Sequence, residues 1–350
     1  MALGAAVGEA VLGRRIGRRA ALYGAVLGTL PDLDVLIPLG DPVADFTEHR
    51  GFSHSLFVLT LASPVVALLI QRLPAMRRAA LDFRSAWALA FGALITHPLL
   101  DAFTVYGTQL FWPLTSPPVS GSAIFIIDPL FTVPLLLGLL LTALAYRRAS
   151  ALAADPGTER STADARAIRA ARPNLVGLGV ACAYLVWALV AKQLVATDVE
   201  RALARQGLSD APWLSTPGPF TTLLWRIVVM DGDRYLEGYT SLVDGSDAVA
   251  FTAWPTEPDL LDDLAEDWRV ARLRWFTHGF HSVRRDADDV LLTDLRMGAE
   301  PSYIFSFRLG RLAPDGSVRP AVTEQRSQPF DPARLRELLE RVTTPPREGP

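Results

Sequence analysis

Long apolar stretches, separated by loops that are alternately rich in arginine and almost bare of it, dominate the first 195 residues. A helix needs ~20 apolar residues to cross a bilayer. The runs at 55–71, 85–100, 124–146 and 173–195 reach or approach that length. Two shorter runs, 2–12 and 19–30, predict a half-membrane hairpin turning around the basic stretch 14–19. Beyond about residue 200 the pattern is that of an ordinary soluble chain. The sequence therefore predicts a mainly α, polytopic helical membrane bundle (1–200) followed by a small α+β domain (201–350).

The arginines set the expected orientation. Arg14, Arg15, Arg18 and Arg19 form one cluster; Arg72, Arg77, Arg78 and Arg84 a second; Arg147, Arg148, Arg160, Arg166, Arg169 and Arg172 a third. The alternate loops contain only Arg50, in 38–53, and no Lys or Arg at 101–123. Positive-inside logic places the three clusters in the cytoplasm and the bare loops, with everything after Val195, outside. The expected location is the bacterial inner (plasma) membrane, with lipid as the constant partner. At the N-terminus the charges follow the apolar stretch instead of preceding it, which argues against a cleaved signal peptide. A net charge of −3 leaves no basic footprint for nucleic acid. The single Cys182 excludes an intrachain disulfide and a thiolate metal site.

After Pro217 the periodicity changes. Strands are expected at 223–230 and 234–243, joined by the turn Asp231-Gly232-Asp233, and again at 248–254, 290–296 and 303–309. Helices are expected at 255–276 and 332–342, and a linker or surface helix at 149–172. His278 and His281 have no carboxylate at ligand spacing and read as surface residues.

Five polar clusters sit at the ends of the apolar runs or in the outer loop. They are Pro31-Asp32-Leu33-Asp34; His49-Arg50-Gly51-Phe52-Ser53-His54-Ser55; His97-Pro98-Leu99-Leu100-Asp101; Asp128; and Thr104-Val105-Tyr106-Gly107-Thr108-Gln109. The arginine pattern puts all five on one side. Ionisable groups beside membrane segments are costly without partners, and a divalent cation would relieve the repulsion among four Asp. His97 and Asp101, four apart, share a helix face, although Pro98 disturbs the turn. Ser53 is expected to cap the second membrane helix, placing His54 in its first turn, and Gly51 to supply the turn that returns His49 towards His54. Pro31 leaves Asp32 and Asp34 in a turn. Imidazole with carboxylate suits Zn²⁺, Mn²⁺ or Fe²⁺, and seven candidate ligands are enough for one or two ions. Asp128 reads equally as a helix cap, and Arg50 as a partner of Glu48 or of a lipid phosphate.

Pro-Asp-x-Asp, His-Arg-Gly-x-Ser-His-Ser and His-Pro-x-x-Asp-x-x-Thr-x-Tyr-Gly-Thr, in that order across 4–146, closely resemble the YdjM-like family of bacterial inner-membrane metal-dependent hydrolases. The strand-rich tail resembles that of longer members. More distantly the family resembles zinc-dependent phospholipase C and P1 nuclease, which implies phosphoester hydrolysis. The resemblance implies Asp32, Asp34, His49, His54, His97 and Asp101 as metal ligands, with Zn²⁺ ahead of Mn²⁺ or Fe²⁺. One departure stands out: Met1-Ala2-Leu3-Gly4 occupies the place where members carry a Thr-His or Thr-Gln pair, so either the start lies upstream or one polar group of the site is missing.

The expected function is hydrolysis of an ester or phosphoester, lipid-like in view of the site's depth. Glu48 or Asp128 is the expected general base, and Arg50 steadies an anionic group. The alternative is a non-catalytic membrane protein with a structural metal and an envelope-partner-binding C-terminal domain. A transporter ranks last, because the ionisable groups cluster at one end instead of lining a path.

Overall fold

The computed structural model describes residues 1–114, 116–153, 160–244, 249–327 and 332–342. Helices make up about half of the chain and precede a strand-rich region. The first hairpin is α1 (Ala2–Ile16), longer than its apolar run indicated, and α2 (Arg19–Leu27), which ends before its run does. Its packing depends on glycine. A Cβ at Gly4 would come within 2.4 Å of the Gly24 carbonyl oxygen, and one at Gly8 within 2.4 Å of that of Ala20. Small residues four apart on each helix thus let the two backbones touch, as in membrane helix pairs.

Next come α3 (Pro42–Glu48), α4 (Leu56–Gln71), α5 (Pro74–Arg78) and α6 (Phe83–Asp101). Leu12, Leu27, Ile70, Met76, Leu89 and Ala93 are buried together, joining α1 and α2 to α4, α5 and α6. The long pair α7 (Pro129–Ala153) and α8 (Arg160–Arg205) follows. Gly138 on α7 and Gly177 on α8 face each other, so that a Cβ on either would enter the partner's backbone. Most of the expected linker at 149–172 is helical, and 154–159 lies outside the described residues. Among the described residues, two helical stretches are long and apolar enough to cross a membrane, Pro129–Ala149 and Ile168–Arg205. A third exists if Pro42–His54 and Leu56–Gln71, bent by 54°, count as one span. On its own α4, at 16 residues, is short for a crossing. α6 has the length but carries Arg84 and Asp101, which dilute its apolar run.

The strands form two antiparallel four-stranded sheets and a small two-stranded ribbon, β7 (Gly298–Ala299) with β8 (Ser302–Tyr303). The first sheet is the meander β1 (Trp213–Pro217), β2 (Leu224–Asp231), β3 (Arg234–Ser241) and β4 (Ala250–Pro255). The second runs in the order β10 (Val318–Arg326), β9 (Ser306–Leu312), β6 (Asp289–Asp294), β5 (His281–Asp286). β1, β5, β7 and β10 have no counterpart among the sequence expectations. β5 and β10 are edge strands carrying several arginines, and their apolar alternation is correspondingly weak. The expected helix at 255–276 is a 3₁₀ segment, Pro258–Leu264, followed by α9 (Trp268–Phe276), capped by the Asp267 carboxylate on Arg269 N. The last helix is α10 (Pro332–Arg341).

The two halves share cores. α8 runs on past the boundary expected at 200. Val195, Val199 and Leu203 pack on Trp225, Ile227 and Val229 of the first sheet. From the first half, Val43 and Phe46 of α3 and Tyr106 of the loop after α6 sit in one cluster with Leu273, Phe276, Val290 and Phe307. Phe46 meets the rings of Phe276 and Phe305 at centroid distances of 4.7 and 4.4 Å. Arg272 Nη2 donates to Glu48 Oε1 (2.5 Å) and Thr323 Oγ1 to Asp41 Oδ2 (2.8 Å), closing the junction.

Candidate metal centre

Three short segments meet at one end of the helices. The first is the 3₁₀ turn Pro31–Leu36 that follows α2. On a helix of three residues per turn, side chains two apart point well away from each other. Asp32 and Asp34 accordingly diverge, whereas the resemblance implies both as ligands; only Asp32 joins the group. The second is the loop between α3 and α4. Arg50 there has φ 63°, so the left-handed residue of the turn is Arg50 and not Gly51. Gly51 is needed for room instead, since a Cβ would lie 2.7 Å from the Glu48 carbonyl oxygen. Phe52–His54 form a separate 3₁₀ turn, and it is Ser55 that caps α4, accepting from Val58 N. The expected cap, Ser53, is drawn to Asp34 instead. The third segment is the last turn of α6, which continues through Pro98 and keeps His97 and Asp101 on one face.

Asp32, His54, His97 and Asp101 each point one ligand atom into a common space, all within 4.8 Å of one another. His54 Nε2 stands 3.2 Å from His97 Nε2 and 3.4 Å from both Asp32 Oδ1 and Asp101 Oδ2. His97 Nε2 is 3.2 Å from Asp32 Oδ1 and 3.4 Å from Asp101 Oδ2. Ligands held about 2.0–2.2 Å from a tetrahedral Zn²⁺ would be separated by roughly 3.3–3.6 Å. Five of the six edges here thus match or fall just inside that figure. Asp101 Oδ2 is buried and has no hydrogen-bond donor. Arg50 Nε is 3.2 Å from it but poorly aligned, and is itself unpaired. A buried acceptor without a donor is expensive, and a cation at this point would satisfy it. The donor set fits a first-row divalent ion.

Asp34 organises the group from behind. Its Oδ1 accepts from His49 Nδ1 (2.7 Å), and its Oδ2 from Arg50 N (3.0 Å) and Ser53 Oγ (2.5 Å). Ser53 Oγ, having donated its proton, accepts from His54 Nδ1 (2.9 Å). That relay puts the His54 proton on Nδ1 and leaves the Nε2 lone pair facing the group, the tautomer that a metal requires. Burial opposes the ionisation of Asp34, but the hydrogen bonds from His49 and Ser53 outweigh it and hold its carboxyl below the usual range.

The remaining expected site residues fall into two groups. His49 and Arg50 lie beside the four-residue group. His49 is spent on Asp34, with its ring 6.0 Å from that of His54. Arg50 reaches Asp101, Thr104 Oγ1 (3.3 Å) and the face of Tyr106 (5.0 Å). Glu48 and Asp128 do other work. Glu48 pairs with Arg272 across the junction. Asp128 caps α7 through Leu130 N and accepts from Tyr184 of α8 (2.7 Å), so the cap reading is the one observed. Sequence reasoning missed Ser53 as a link and Tyr106 as a support. Tyr106 donates to the Phe46 carbonyl (2.7 Å) and stands edge-on to His49, at 5.5 Å between centroids. The one signal was its place within a polar cluster. His278 is at the surface as expected, and its Nε2 meets the Pro118 carbonyl (2.9 Å); His281 is partly buried beside Thr277.

The family model described as "YdjM inner membrane protein" matches residues 1–195, more than half of the chain. A curated relative from Bacillus subtilis (strain 168), named "Uncharacterized protein YfhP", is 30% identical over 100 residues, which make up 28% of this chain and 29% of that protein. The match thus spans less than a third of the relative's length. No solved structure matches the chain.

Proposed function

The chain belongs to the YdjM inner membrane protein family, and from that premise we propose that it is a divalent-metal-dependent membrane hydrolase of ester or phosphoester bonds. Asp32, His54, His97 and Asp101 would hold one ion, Zn²⁺ before Mn²⁺ or Fe²⁺. The observation that carries the reading is uneven exposure. The Asp32 side chain is 44% exposed, whereas those of His54, His97 and Asp101 are at 0%, 13% and 12%. A structural site is closed on all sides, and a catalytic one keeps an open position. This asymmetry favours catalysis over the structural-metal alternative.

When bound, the ion would supply Lewis acidity and lower the pKa of water. The chain's own groups supply the rest. Arg50, ion-paired with Asp101 at the edge of the group, offers positive charge to an anionic substrate group. Asp34 and His49 form a carboxylate–imidazole pair beside the metal ligands, the arrangement in which a histidine carries a proton to and from a reacting group. They replace Glu48 and Asp128 in that role. The position of the group at the ends of membrane helices favours a lipid or lipid-linked substrate. The arginine bias supports a multi-pass topology with this end and the C-terminal region outside the cytoplasm.

The test is elemental analysis of detergent-purified protein, wild type beside His54→Ala/His97→Ala, followed by phospholipid and phosphodiester hydrolysis assays. Stoichiometric metal in wild type only, with activity that a chelator removes, would support the reading. Wild-type protein that neither contains nor takes up metal would overturn it.

A further inference from the structure

Outside the candidate metal centre, α9 presents a face that packing within the fold covers only in part: Arg272 is tied to Glu48 and Thr47 and Trp275 lies against the shared core, whereas Trp268 and Ala271 are exposed. On α9 Trp268, Ala271, Arg272 and Trp275, spaced i, i+3, i+4, i+7, share a single face. The opposite positions, Val270, Leu273 and Phe276, are buried. Trp268 is 53% exposed, and Arg272 lies 4.2 Å above the Trp275 ring. An open groove of about 530 Å³ separates this face from the outer-loop residues Trp112 and Leu114, and Leu114 is 61% exposed.

The far wall of the groove joins the start of α4. Trp112 gives its carbonyl to the hydroxyl of Ser55, the cap of α4 (2.6 Å), and its ring lies 6.3 Å from that of Phe52. α4, which starts at this cap, exposes Phe57, Leu61 and Val65. Exposed apolar residues thus lie on α4, on the loop and on α9, around a groove that Glu48 and Gln109 also line. Trp beside Arg is the composition of a membrane–water interface, where the ring sits at headgroup depth and the cation meets phosphate. Arg272 is paired with Glu48, so the exposed Arg274 supplies the cation next to the face.

We propose that the α9 face and the 111–114 loop dock on the phospholipid interface of the bilayer in which the helices sit. The C-terminal region is then held down on the membrane beside the metal centre, with the groove filled by phospholipid. The inference does not depend on hydrolase activity.

Site-directed labelling of the full chain tests it. Cys182→Ser removes the one cysteine, and Trp268→Cys or Leu114→Cys then carries an environment-sensitive fluorophore. Asp315→Cys, in the exposed turn between β9 and β10, serves as the control. The proteins are reconstituted in nanodiscs of phosphatidylcholine and phosphatidylglycerol containing a shallow doxyl-labelled lipid. The expected result is blue-shifted emission at 268 and 114, quenched several-fold more strongly than at 315. Quenching at both sites no stronger than at 315 would overturn the proposal. A blue shift without lipid quenching would also overturn it, by showing that a protein surface covers the groove.

Discussion

Asp34→Asn is the sharpest probe of the metal centre, because sequence and structure assign this residue different roles. If Asp34 bound the ion directly, its loss would resemble the loss of His54. The structure instead gives both of its oxygens to His49, Arg50 N and Ser53. An amide keeps the shape but offers one acceptor oxygen, so at least one of these three donors is left facing an NH₂ group. Even with its oxygen turned to Ser53, a neutral amide is a weaker acceptor than a carboxylate, so the link Asp34–Ser53–His54 is weakened and the Nδ1 tautomer of His54 is less firmly enforced. Removal of such an outer partner typically lowers metal affinity about 10–100-fold, or roughly 1.4–2.7 kcal/mol. Competition with a chromophoric chelator in detergent reads this directly. Affinity within about twofold of wild type would refute the relay, and complete loss matching His54→Ala would show that Asp34 is a ligand.

Three further outcomes follow from the packing and the titrating groups. Phe46→Ala empties an aromatic cluster shared by both halves and should cost about 3–5 kcal/mol, read as a lower midpoint in thermal unfolding of the full chain. An unchanged midpoint would contradict the shared core. Gly24→Ala would place a Cβ 2.1 Å from the Gly4 carbonyl oxygen, so the α1–α2 hairpin must spread at a cost of about 1–3 kcal/mol, visible as loss of monodisperse protein. Behaviour identical to wild type would rule out the close crossing. Burial, reinforced by Arg274, pushes the His281 imidazole from 6.5 down to about 4. Between those values the unfolded chain takes up a proton that the folded chain does not, so stability falls as the pH drops, by up to about 3 kcal/mol. His281→Gln should flatten that part of the stability–pH curve between pH 7 and 4, and an unaltered slope would exclude this origin.

Much of this protein was legible in the sequence because the relevant signals are local. Apolar length marked α7 and α8, the alternation around Asp231-Gly232-Asp233 marked the β2–β3 hairpin, and four-residue spacing put His97 and Asp101 on one face. Helix ends and turns rich in His and Asp pointed to a metal centre, and residues 1–195 carry the family pattern. Only the tertiary structure decided which of the candidates converge. Side-chain direction within a 3₁₀ turn separates Asp32 from Asp34, and the pull of the Asp34 carboxylate turns Ser53 from a helix cap into a link to His54. Glu48 and Asp128 resembled site residues by position, but each is committed to a partner 224 or 56 residues away. No local pattern encodes such pairings. The same holds for α3 and Tyr106, whose apolar surface is completed by strands more than 150 residues later in the chain. Burial against distant elements is a property of the fold, which is why the boundary between two domains looks clean in the sequence and the folded protein shares a core across it.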